Sequence, residues 1–237
     1  MRISHIALYD CASHRHVRMG AVAAFLRETF GIPAVSRTSP YVDRRDAHAC
    51  RVRNMFRPPE RWGEGDAGDS PLYDGYMLAD LLGGMLSHDE GAFHVLFVDD
   101  MIGTYDPADM RYHGRALISA NPCIVSVRGM CEAPARPRDY CIDVMACAAS
   151  GGDAQEVESR HGGRFLTYDD PRMQEVAHGY VMQAVFHFET GEAFCTDAGC
   201  RLYNSHWQSD VIHTQVMSPR LCGRHQDALR RMAAGAA

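Results

Sequence analysis

Three cysteines and one histidine near the C-terminus have the types and spacing of a zinc site: Cys195, Cys200, Cys222 and His225. They read C-x4-C and C-x2-H, with 21 residues between the two pairs. Tetrahedral Zn2+ takes four thiolate or imidazole ligands at about 2.0–2.3 Å. Thr196-Asp197-Ala198-Gly199 can turn tightly enough to bring two sulfurs to one ion, because Gly199 tolerates a left-handed conformation. Cys222-Gly223-Arg224-His225 supplies the second arm, and the intervening stretch has room for a helix that returns the chain. Four protein ligands leave no position for a substrate water. The site is therefore expected to be structural, one Zn2+ per chain, tying the C-terminal segment to the body. The competing reading is three buried thiols and a surface imidazole.

Other groups offer weaker chemistry. Glu175 and His178 lie three apart on one helical face, a spacing that binds metal in helical bundles, although an ordinary Glu–His pair reads the same way. His206, Asp210 and His213 repeat along one helical face, where solvated side chains are the commoner outcome. Cys11, His14 and His16 follow the first strand, where ligands bind in α/β layers. A thiol beside imidazoles is a nucleophile or a soft-metal site, and the alternative is a surface loop. Asp99-Asp100 and Arg111-Tyr112-His113-Gly114-Arg115 bring carboxylates, an imidazole and guanidinium groups beside strands. The catalytic candidates are His113, Glu175, His178 and Cys11, with a second metal left open. No Gly-rich phosphate loop, GxSxG or CxxC is present.

The elements that must position these groups follow from periodicity. Residues 3–9 read as a strand, 17–30 as a helix stopped by Gly31 and Pro33, and 34–37 as a second strand. Residues 38–71 are charged and broken by Pro and Gly, a loop-rich insertion with a short helix near 43–54. A helix over 72–86, a strand over 94–98, two short strands at 116–119 and 123–127, and helices at 139–148 and 154–161 follow. Asp170 and Pro171 are placed to cap a long helix over 172–189. Its apolar stripe runs from Met173 through Val176, Ala177, Tyr180, Val181 and Ala184 to Phe188, and Gly191 ends it. Helices at 202–216 and 223–232 close the chain.

This C-terminal stretch resembles the archaemetzincins, in which an HExxHxxGxxH helix leads directly into C-x4-C, a Met and C-x2-C. Ala184-Val-Phe-His-Phe-Glu-Thr-Gly191-Glu-Ala-Phe-Cys195 lies on that pattern without a gap. Gly191 falls on the motif Gly and Cys195 on the first structural Cys, with Cys200 and Cys222 following. Leu202 stands at the Met, and His225 replaces the last Cys with a spacing about two residues longer. Phe93 to Asp100, Gly114 to Ala116 and Ile124 to Val127 are similar to the metzincin strands, one of which would run beside a bound peptide. The resemblance implies a metzincin-like α/β single domain over 1–237, with a twisted mixed sheet, a long central helix and a zinc-bound C-terminal helical segment at 195–225. It also implies that the zinc positions are Ala184, Phe188 and Phe194 and the base position Val185, none of which binds metal or moves a proton. Zinc peptidases need three ligands and a carboxylate to activate water. Asp99, Asp100, Arg111, His113 and Arg115 would then line the rim of the former cleft as ligand-binding residues.

Composition narrows the partners. A formal charge of −6 argues against nucleic acid, which needs a basic face. No run approaches a membrane span, and the N-terminus lacks the apolar stretch of a signal peptide. Nine cysteines, an odd and scattered set, suit thiols or metal ligands in a reducing cytoplasm. Three functional readings stand: a metallopeptidase-like zinc pseudoenzyme that binds a peptide or small molecule; an enzyme with a relocated metal or thiol site; and a non-catalytic partner-binding protein contacting through 38–71.

Overall fold

The alternating burial of five strands organises the molecule. In a computed structural model, residues 2–11, 14–40, 42–63, 65–66, 70–86, 89–192 and 194–234 are described. β1 (His5–Cys11), β2 (Ala34–Arg37), β4 (Ala92–Val98), β7 (Leu117–Ile118) and β8 (Cys123–Ser126) form one sheet in the order β2-β1-β4-β8-β7. All neighbours are parallel except β7, which runs antiparallel to β8 at the edge. Side chains alternate between faces. Ile6, Leu8, Phe93, Val95, Phe97, Cys123 and Val125 enter one core, while Ala7, Tyr9, Leu96, Val98 and Ile124 enter the other. Runs apolar on both faces are what a covered parallel sheet requires.

Helices cover both faces. α1 (Met19–Phe30) and α7 (Met173–Thr190) pack on the first face, their contact including Phe30 edge-on to Phe186 at 5.8 Å. α3 (Gly75–Gly83) covers the second. A smaller sheet, β3 (Leu72–Asp74), β5 (Met101–Asp106) and β6 (Arg111–Arg115), is ordered β3-β5-β6. α2 (Arg44–Ala49), α4 (Val127–Glu132), α5 (Arg138–Ser150), α6 (Ala154–Arg160), α8 (Gln208–Ile212) and α9 (Gly223–Ala234) complete the described helices, with one short 3-10 turn and a π-helical turn, His213–Met217. None is long and apolar enough to cross a membrane.

Several expectations shift. Residues 72–74 are strand, not helix, because they pair with Met101–Gly103. Asp74 then caps α3, accepting from Tyr76 N at 3.0 Å and Met77 N at 2.9 Å. β5 and β6 lie in a stretch whose charges and glycines hide any alternation. Asp170 does not cap α7; Arg172 holds the cap position, and Asp170 Oδ1 accepts from Arg172 N at 2.9 Å in the turn before it. The helix expected at 202–216 is shortened from its start, since Leu202 and Tyr203 are tied to Cys195 and Cys200 through Cys195 N–Leu202 O at 2.7 Å and Tyr203 N–Cys200 O at 2.9 Å. The 38–71 stretch holds α2 and sends Val52, fully buried, against Leu72 and Tyr112.

Candidate functional site

The four zinc-type residues meet. Cys195 Sγ and Cys222 Sγ are 3.9 Å apart, Cys200 Sγ is 3.5 Å from His225 Nδ1, and Cys222 Sγ is 3.1 Å from that nitrogen. All four ligand atoms lie within 4.8 Å of one another. Ligands of a tetrahedral ion at about 2.0–2.3 Å stand roughly 3.3–3.8 Å apart, so the donor set fits Zn2+. Backbone N–H groups point at two of the sulfurs, from Asp197 to Cys195 at 3.3 Å and from Cys222 to Cys200 at 3.4 Å. His225 turns Nδ1 to the sulfurs and Nε2 toward Glu192, 3.7 Å away, the carboxylate–imidazole order common behind metal-bound histidines. Burial, then Arg224, lowers the His225 pKa, which favours the neutral ring that a metal needs.

A second polar region lies in the cleft between α7, the Gly114–Leu117 edge and the 203–206 loop. One cavity of about 110 Å³ is lined by Tyr180, Gln183 and Gln215 among others. A wider one of about 580 Å³ is lined by Asp106, His113, His187 and Ser119. Arg115, Leu117, Phe194, Asn204 and His206 line both, so the two are parts of one cleft. Its wall is held by close approach: a Cβ on Gly129 would sit 2.2 Å from Arg115 O, so α4 packs there only because residue 129 is glycine. Ser126 N donates to Ala116 O at 2.8 Å. By the alternation of antiparallel ladders, Leu117 therefore turns its own N–H and C=O away from β8.

The face that α7 presents to this cleft is Tyr180, Gln183 and His187. Ala184 and Val185 are buried in the main core at 1% and 0% exposure. Phe188 packs on Phe93 at 4.9 Å with Arg2 above its ring, against a different cavity. Of the positions assigned from the motif, Phe194 alone lines the cleft. Gln183 and His187, one turn apart, were not singled out as a site from sequence. The signal available was their polarity within an apolar helix. Gln183 Oε1 and His187 Nδ1 are buried without a hydrogen-bond partner, and among described residues they are the two such side-chain atoms.

The other candidates disperse. His113 and Arg115 line the cleft; Arg115 Nε donates to Thr104 Oγ1 at 2.9 Å, and His113 Nε2 meets Asp109 at 2.8 Å. Asp106, Asp109 and His113 also converge closely enough for a cation, at a more exposed place. Arg111 pairs with Asp109, while Asp99 and Asp100 occupy the β4–β5 turn and line neither cavity. Glu175 and His178 lie at the start of α7, outside both cavities. His178 stacks on Phe25 at 4.5 Å, Glu175 reaches the Arg201 guanidinium at 3.4 Å, and burial lowers the His178 pKa. His14 bonds Tyr168 O and His16 bonds Asp169, and the Cys11 side chain lies outside the described residues. His206 precedes α8, Asp210 lies in it and His213 follows it; His206 is the one that reaches the cleft.

A family model described as "Probable metallopeptidase family (DUF6775)" matches residues 2–232. The chain belongs to this family. The fold of this metallopeptidase-family chain is archaemetzincin-like. It is similar to archaemetzincin from Methanopyrus kandleri at 18% identity and TM-score 0.54, over 99% of this chain and 98% of that one. A zinc-dependent peptidase from Methanocorpusculum labreanum is also similar, at 13% identity and TM-score 0.46, over 94% and 99%. No curated protein matches.

Proposed function

We propose that this metallopeptidase-family chain is a structural-zinc protein whose peptidase site is lost and whose cleft binds a peptide or small molecule without cutting it. The observation that carries this reading is the composition of the α7 face. Gln183 and His187 are the polar α7 side chains on the cleft, while Ala184 and Val185, at the first ligand position and the base position of the motif, are sealed in the core. A zinc hydrolase needs three ligands, an open coordination position and a carboxylate acting on water. The metal belongs to Cys195, Cys200, Cys222 and His225, whose four donors close its coordination shell. It holds the segment from Cys195 to His225 together and does no chemistry. The wealth of thiols supports a reducing compartment such as the cytoplasm.

A second reading, a relocated metal enzyme, draws on His113, His187 and His206 lining one cavity with Asp106. Metal analysis and proteolysis assays separate the two. The zinc-loaded chain is expected to carry one Zn2+, lost on Cys195→Ser with Cys222→Ser, and to leave a degenerate peptide library intact. A second bound zinc that survives those substitutions, together with metal-dependent cleavage abolished by His187→Ala, would sink the proposal.

A further inference from the structure

Gln183 lines the smaller cavity, and its side chain carries a buried acceptor without a partner. Gln183 is 3% exposed. Its Nε2 donates to Tyr203 O at 3.4 Å; only the amide nitrogen can pair with a carbonyl, so the orientation of the side chain is settled and Oε1 is left without a partner. An unpaired buried acceptor costs about 1–3 kcal/mol, and such groups are rare in folded proteins unless a ligand or water completes them. The cavity holds about 110 Å³, room for three or four waters at roughly 30 Å³ each or for one polar side chain. It has no Asp or Glu in its lining.

From this we infer that the cavity is a recognition pocket for a primary carboxamide, carried on an extended peptide lying along the Leu117 edge. The inference rests on the cleft being a binding groove, as proposed above. A carboxamide N–H completes Gln183 Oε1, and its C=O can accept from the donors around it, Arg115, Asn204 and Tyr180. A carboxylate would set two acceptors face to face at Gln183. An ammonium would enter without a counter-charge. A thioether or alkyl group of the same length would leave Oε1 as it stands.

The test uses the zinc-loaded full chain and fluorescein-labelled hexapeptides Ala-Ala-X-Ala-Ala-Ala with a free carboxyl end, X being Gln, Glu, Lys or Met. One non-alanine residue lets the peptide slide until X seats. Anisotropy titrations are expected to show the Gln peptide binding at least tenfold tighter than the others. Gln183→Met should erase that margin, and Gln183→Glu should move the preference to Lys. Gln183→Met should melt near the parent, and Gln183→Glu, which buries a carboxylate against Tyr203 O, is read only if its melt shows it folded. Equal affinities across X, or a Gln preference that survives Gln183→Met, would overturn the inference while leaving the groove intact. Failure of every peptide to bind would remove the groove as well.

Discussion

Gln183 and Gln208 are the same side chain in opposite circumstances. Gln208, fully buried, donates from Nε2 to Met130 O at 2.9 Å and Cys131 O at 3.0 Å and accepts from Leu166 N at 3.1 Å, so one amide ties α8 to the end of α4 and to residue 166. Gln208→Met strands three backbone groups, each worth about 1–3 kcal/mol. Its stability should fall by about 3 kcal/mol or more, a drop of roughly 10 °C in melting temperature. Gln183→Met removes one long bond and an acceptor that was already unpaired, and should stay within about 1 kcal/mol. Equal losses in thermal melts would mean that Gln183 is a structural amide. His178 adds a pH dependence. Burial lowers its folded pKa below the ordinary 6.5, so the unfolded chain takes up the proton first. Stability contributed by the neutral ring is full above pH 6.5 and declines as the pH falls below it. Denaturant titrations should show that decline, and it should be shallower in His178→Asn; an unchanged slope would assign it to other groups.

At the scale of elements, α7 shows where sequence reading reaches and where it stops. The apolar stripe places the helix, Gly191 ends it in a left-handed conformation (φ 77°), and the C-x4-C spacing leads to four converging donors. Which residues meet the cleft was not legible from the motif, because a helix turns about 100° per residue. His187 lies four residues before Gly191, whereas the motif places its second His three before the Gly. In the structure 183 and 187 line the groove, while 184 is buried in the core and 188 packs against Phe93 beside another cavity. The consequence is measurable. Gln183→His with Phe194→His, acting with the native His187, should create a second zinc site detectable by metal titration. Ala184→His with Phe188→His should bind no extra zinc and should destabilise the protein by about 1–3 kcal/mol through crowding of the core. The opposite result would restore the motif register. β5, the start of β6 before Gly114 and the 203–206 loop escaped prediction for a related reason. Their conformations follow from strand pairing and from ties to the Cys195–Cys200 loop, neither of which leaves a periodic trace.

For the molecule as a whole, the metal loop and the cleft share a wall. Arg201, between Cys200 and Leu202, is buried at 6% exposure; it reaches Glu175 O at 3.1 Å and Gln215 Oε1 at 3.3 Å, and Gln215 Nε2 donates back to Arg201 O at 2.8 Å. Gln215, Tyr203 and His206 all line the smaller cavity. Chelation should therefore loosen 195–225 and α9 first, seen as lost hydrogen-exchange protection there while β1, β4 and β8 stay protected. Simultaneous exchange throughout the sheet would contradict this. Thermodynamic coupling between two sites is mutual. A peptide seated beside Gln183 should slow the chelator's extraction of zinc by the same free energy with which zinc tightens the peptide, making the ion an allosteric effector that never touches what the groove holds.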